Sequence, residues 1–199
     1  IGVLAAGVSA VMALILGICA ATLGKKVDSA ISFAIDTVMG IPHILLLILI
    51  SYAMGKGLKG VIAGVALTHW TSLARLIRGE VMQLRESEYI QIAGKLGLGK
   101  WEIAKKHIVP HVLPQFIVGL VLLFPHAILH ESSITFLGFG LSTEQPAIGV
   151  ILSESMRYLI MGKWCLAVFP GMMLVLTVVL FEKEGTALRQ LLDPGSVHK

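Results

Sequence analysis

The sequence predicts an all-α fold, a polytopic membrane bundle of helices, and three observations carry that prediction. Only 14% of the 199 residues are charged, 56% are hydrophobic, and the mean hydropathy is +0.86. A soluble domain carries about 25% charged residues, so the deficit points to lipid as the solvent. Several apolar runs approach or exceed the roughly 20 residues that a bilayer crossing requires. One long polar stretch, Arg75 to His107, interrupts them and cannot cross lipid.

Five spans follow in order. The first is Val3–Leu23, rich in Ala and Gly, which let helices approach closely in a membrane. A short polar loop holds Gly24, Lys25, Lys26 and Asp28. The second span is Ala34–Met54, with Pro42 near its start; neighbouring helices can satisfy the carbonyl that a proline frees. A glycine-rich turn, Gly55 to Gly60, leads into the third span, Val61–Ile77. After the polar stretch comes the fourth, Pro110–Leu137, carrying Pro114 and Pro125. A mixed segment, residues 138–163, precedes the fifth span, Trp164–Phe181, and a polar tail runs from Glu182 to Lys199. Cys19 and Cys165 both lie in apolar runs and are expected to be free thiols.

Charge sets the orientation. Of the 16 Lys and Arg residues, 12 fall in the loop at Lys25, the Arg75–His107 stretch and the tail; Lys56, Lys59, Arg157 and Lys163 fall on the other side. Basic residues gather on the cytoplasmic side, which places the polar stretch in the cytosol and residues 138–163 outside the cell. The net charge of +4 has the same origin, and no Lys/Arg run with interleaved aromatics suggests a nucleic-acid surface. The chain opens at Ile1 with neither Met nor a basic leader, so a further segment is expected before it.

Within the polar stretch, Tyr89, Ile92, Ala93 and Leu96 stand at i, i+3, i+4 and i+7, one helix face. Gly97-Leu98-Gly99 breaks that helix, and Trp101, Ala104 and Ile108 mark a second short apolar stripe. Two short helices outside the membrane with apolar stripes need a partner groove, or the membrane surface, to bury them.

This segment resembles the EAA loop of ABC importer permeases. The pattern of a Glu, a small residue after the next turn, a Gly four residues on and a later hydrophobic–Pro pair is met by Glu88, Ala93, Gly97 and Ile108 with Pro110; Ile92 departs from it, standing where the short form has a second Ala. The resemblance extends to the dipeptide, oligopeptide and nickel permeases through Asp36–Pro42, Arg75–Arg85, Ser133–Gly140 and Leu188–Arg189 with Asp193–Pro194. It implies a type I importer permease domain over residues 1–199, lacking the family's first helix, with residues 85–109 as a coupling helix pair. Glu88, Ala93, Gly97, Trp101, Ile108 and Pro110 would then meet a cytoplasmic ATPase. The implied partners are a second homologous permease, two ATPase subunits and an extracytoplasmic substrate-binding protein, in the cytoplasmic membrane. No cofactor is expected on this chain; ATP and Mg belong to the partners, since no Walker-type Gly-x-x-x-x-Gly-Lys-Ser/Thr occurs.

Four of the seven histidines, His43, His69, His126 and His130, lie in or near spans. His126 and His130 are i, i+4 on one face, and Glu131 follows. Ionisable groups at membrane depth are costly and face a cavity or a partner, and imidazole suits divalent nickel, copper and zinc. His69, His126, His130 and Glu131 are accordingly the expected metal residues of a translocation pathway, and packed, hydrogen-bonded helix contacts are the structural alternative. The zinc-protease motif is excluded, because Ala127 stands where its general base must be. The expected cargo is nickel or a nickel chelate, with a di- or oligopeptide as the alternative; a secondary transporter or channel is the alternative of a different class. No catalytic set for an enzyme is present.

Overall fold

A computed structural model describes residues 2–192; the tail pair Asp193–Pro194 lies outside the described residues. Among the described residues every regular element is helical. Helix α1 spans Gly2–Thr22, α2 Lys25–Gly40, α3 His43–Ala53, α4 Gly57–Glu86, α5 Glu88–Lys95 and α6 Lys100–Ile103. A π-turn at Ala104–Ile108 then leads into α7, Val109–Phe136, followed by α8, Ile148–Leu159, and α9, Cys165–Leu192. Four stretches are long and apolar enough to cross a membrane, or five when the bent pair α2–α3 counts as one.

The core is the α1–α4 contact. Small residues on α1, among them Ala6, Ala10, Ala13, Gly17 and Ala21, are buried along its length. They bring the backbones together: a Cβ on Gly17 would stand 2.9 Å from the Ala74 carbonyl oxygen. Ser9 Oγ donates to the Ala66 carbonyl at 3.0 Å, and Arg85 donates to the Ala21 carbonyl. These pairs advance together along both helices, so α1 and α4 run parallel. α3 runs antiparallel to α4, with Ser51 over Gly60 and Leu47 over Gly64. A Cβ on Gly60 would stand 2.6 Å from the Ser51 carbonyl oxygen.

The second span departs from the expected continuous helix. It is two helices bent by 98° at Pro42, and the polar residues Lys25, Lys26 and Asp28 form the first turn of α2 rather than a loop. The residue before a proline is driven out of the α region, and Ile41 is extended, at φ −93° and ψ 137°. Two ion pairs hold α2 against α4: Arg78 grips Asp28 in a two-pronged bond, with Nη2–Oδ2 at 2.8 Å, and Arg75 meets Asp36 at 2.6 Å. Pro114 and Pro125 do not break α7. Residues 138–163 contain the amphipathic α8, whose Gly149, Val150 and Ser155 face inward. The turn before α4 is pinned to the chain after α7 by Gly57 N–H to the Gly140 carbonyl at 3.0 Å and Ser51 Oγ to the Phe139 carbonyl at 2.7 Å. α9 packs on α7 through Phe124–Phe181 and Gly185 and on α8 near Gly171 and Leu152, and presents much of its remaining apolar surface outward. Cys19 and Cys165 are free thiols.

Candidate functional site

Two places gather functional chemistry. The first is the end of the bundle that carries α5 and α6. Glu88 opens α5, where a carboxylate favours the positive end of the helix dipole. The helix ends at Gly97, which takes φ +93°, a conformation that costs an L side chain energy and glycine nothing. Leu98 N–H bonds back to the Ala93 carbonyl at 3.2 Å and Gly97 N–H to the Gly94 carbonyl at 3.1 Å, the paired bonds of a Schellman cap. This cap explains the Ala93–Gly97 spacing: Ala93 supplies its outer acceptor and Gly97 its left-handed residue.

The predicted stripes divide between two faces. Ile90 and Ala93 point inward, and Ile90 joins Ile108 in the core against Leu84, with Ile103 and Ala104 packed alongside. Tyr89, Ile92 and Leu96 point outward, and Leu96 is 78% exposed. The second predicted stripe also divides: Trp101 is 81% exposed, whereas Ala104 and Ile108 turn toward the core. The division follows from Ile90, which the spacing argument left out and which sits nearer the end of α4. The second helix is also not separate from the following span: α6, the π-turn and α7 form one continuous path, with Pro110 in the first turn of α7. Proline has no N–H to give the preceding turn, and the π-turn stands just before it. Beside it a cavity of about 790 Å³ is bounded by Glu80, Tyr89, Pro110, His111 and Arg189.

The second place is the elbow between α2 and α3. A cavity of about 690 Å³ opens there, walled by Gly40–His43 of the elbow, Thr68, His69, Thr71 and Ser72 of α4, and Leu123, His126 and His130 of α7. His43, His69 and His130 converge from three helices. Their rings stand edge to face, with centroids 4.4–4.9 Å apart. One ring nitrogen from each lies within 4.8 Å of the others. His69 Nδ1 faces the Val65 carbonyl at 3.1 Å and Thr68 Oγ1 at 3.0 Å; His130 Nδ1 faces the His126 carbonyl at 2.8 Å and His69 Nε2 at 3.2 Å. His43 Nε2 is buried without a hydrogen-bond partner.

Of the residues expected to form a metal pathway, His69 and His130 meet directly. His126 lines the cavity but stands outside the cluster, and its backbone carbonyl orients His130 instead. Glu131 points elsewhere. It is buried on a different side of α7, accepting bonds from Thr135 Oγ1 at 2.9 Å and Ser132 Oγ at 3.3 Å. Adjacent residues on a helix are about 100° apart, so Glu131 cannot share the face of His130. His43 completes the cluster, and the spacing within α7 gave it no place there. Its one local signal is the preceding Pro42, which marks an elbow.

Comparison with known proteins places the chain among transport proteins. Residues 13–196 match the family model described as binding-protein-dependent transport system inner membrane component. The dipeptide transport system permease protein DppC of Bacillus subtilis is 31% identical over 98% of this chain and 61% of its own length. The oligopeptide permease OppC of the same organism is 31% identical over 98% of this chain and 63% of its own length. The nickel transport system permease protein NikC of Escherichia coli K12 is 32% identical over 94% and 67%. The chain thus spans roughly three fifths to two thirds of the length of these curated relatives. A structure of the MetNI methionine ABC transporter in inward-facing conformations superposes with a TM-score of 0.76 at 16% identity, over 95% of this chain and 89% of that one, a likeness of fold.

Proposed function

Because the chain belongs to the family of binding-protein-dependent transport system inner membrane components, and is a multi-pass membrane protein, we propose that it forms one of the two membrane halves of an ATP-driven importer. The observation that carries this reading is the outward apolar surface of Tyr89, Ile92, Leu96 and Trp101 on a helix pair whose second member, α6, runs on into α7. Exposed apolar patches mark contacts with a partner. A helix joined without a break to a membrane span, as α6 is to α7, transmits displacement to that span. In this reading Glu88, Ala93, Gly97, Trp101, Ile108 and Pro110 belong to the coupling segment, residues 85–109, which a cytoplasmic ATPase subunit grips. Ala93, Ile108 and Gly97 shape it from within; Trp101 and Leu96 make the contact. ATP hydrolysis, with its Mg, lies in two separate nucleotide-binding subunits. A second permease completes the pathway, and an extracytoplasmic binding protein delivers cargo to the side of residues 138–163.

Dipeptide, oligopeptide and nickel permeases match at similar identity, so the comparisons do not favour nickel. The histidine-walled cavity supports a divalent metal, free or chelated, as the cargo; a small peptide is the second reading, supported by the dipeptide and oligopeptide relatives. The test is uptake of radioactive nickel, with and without a competing dipeptide, in cells carrying the complete transport system. Gly97→Asp places a side chain at φ +93° and a charge on the docking surface. It is expected to abolish ATP-dependent uptake of whichever cargo enters; uptake that persists in this variant rejects the coupling role.

A further inference from the structure

We propose that His43, His69 and His130 form a three-imidazole site for one divalent first-row transition-metal ion, at the elbow where α2 turns into α3. The reading of the ion as cargo rests on the permease function proposed above; its binding does not.

Hydrogen bonding prepares the ligands. A carbonyl oxygen only accepts, so the Val65 carbonyl requires a proton on Nδ1 of His69, and the His126 carbonyl requires one on Nδ1 of His130. Each ring then keeps its lone pair on Nε2. Metal-bound histidines characteristically donate their other N–H to a backbone carbonyl, which holds the ring and raises its basicity. His69 Nε2 shares the Nδ1–H of His130 at 3.2 Å, a contact an ion displaces. His43 offers the third lone pair: its Nε2 is buried with no partner, an arrangement that costs stability unless a ligand takes it up.

Spacing and chemistry agree. An ion held tetrahedrally at about 2.0–2.1 Å separates its ligand nitrogens by about 3.3 Å. One ring nitrogen of each residue, Nδ1 or Nε2, already lies within 4.8 Å of the others, and torsions of the side chains bring the Nε2 lone pairs onto one ion. Neutral imidazoles select nickel, copper, zinc or cobalt over calcium and magnesium, which require oxygen ligands. Three ligands leave coordination positions open toward the cavity, where water or a chelator can bind, so the ion can exchange. Two ligands stand on packed helices, whereas His43 is the first residue after Pro42. A change in the elbow angle therefore alters the ligand count, giving the two orientations of a transporter different affinities for the ion.

The experiment is titration of the purified, complete transporter in nanodiscs with Co(II) alone and with Ni(II) alone, with Cys19 and Cys165 changed to Ser to remove competing thiols. X-ray absorption follows at one equivalent. The expected result is one tight equivalent per copy of this chain with three imidazoles around the ion. His43→Gln, His69→Gln and His130→Gln should each lower affinity by at least tenfold, whereas Glu131→Gln should leave it unchanged. No stoichiometric site, or an equivalent untouched by all three histidine changes, overturns the proposal. If a variant fails to assemble, the imidazole count in the unsubstituted histidine protein decides. Uptake by the parent protein separates the two readings: stoichiometric binding without any ATP-driven uptake supports the site and rejects the importer, and ATP-driven peptide uptake without a bound ion does the reverse.

Discussion

The end of the bundle that carries α5 and the elbow at Pro42 solve opposite problems. At the first, apolar side chains are left in the open: Leu96 and Trp101 are among the most exposed large residues of the molecule. At the second, polar rings are drawn in from three helices and partly or wholly buried around a cavity that Thr68 and Leu123 also line. A docking surface has to offer burial that is completed only when a partner arrives. A pathway site has to hold polar groups where lipid would penalise them, satisfying some by backbone carbonyls and keeping others free for a ligand. The contrast also separates a site built from consecutive residues, 88–110, from one whose members are separated by 61 positions between His69 and His130.

Four changes break or sharpen this contrast. The largest effect is expected from Gly97→Asp, with loss of ATP-driven uptake and an unchanged metal equivalent, read by transport and titration on the same preparation. A parallel fall in metal binding would show that the two regions are not separable. Next, His69→Gln should reduce Co(II) or Ni(II) affinity by at least tenfold while the complex with ATPase subunits still elutes as one species; dissociation of that complex would assign His69 a packing role. Third, Leu96→Ser with Trp101→Ala should weaken binding of the ATPase subunit by about 2–4 kcal/mol, the magnitude of two apolar anchors in an interface, measured by surface binding in nanodiscs. An unchanged affinity would place the contact elsewhere. Smallest is Gly17→Ala, remote from both regions. The added methyl would press on the Ala74 backbone, costing about 1–3 kcal/mol and a few degrees in Tm, with the metal equivalent and the ATPase affinity preserved.

The capped helix at residues 88–95 and the turn after it were readable in the chain because their determinants are local. A Schellman cap needs a glycine at one position relative to its own helix, so Ala93 and Gly97 carry that information in their spacing. The face that α5 buries was not readable. Ile90 turns inward because the end of α4 is there to receive it, and Tyr89, Ile92 and Leu96 are left outside as a consequence. Pairing His126 with His130 and Glu131 was sound helix geometry only in part. The i, i+4 relation holds, yet the contact between them is a ring nitrogen on a backbone carbonyl, and Glu131 faces Thr135.

By itself, then, the sequence determined the solvent, the class of structure and the places where helices must stop. Apolar length commits a segment to lipid, charge denies it that option, and glycine or proline limits the backbone wherever it stands. Pro42 announced a possible break at the elbow, but not its 98° bend. Which histidines meet was decided only in three dimensions, by the register of α3 and α7 against α4. That register depends on small residues such as Gly60 and Gly64, which let Ser51 and Leu47 approach and thereby carry His43 to His69. Contacts of this kind are set by the fit of one helix surface to another, a property of the assembled bundle that no single segment contains.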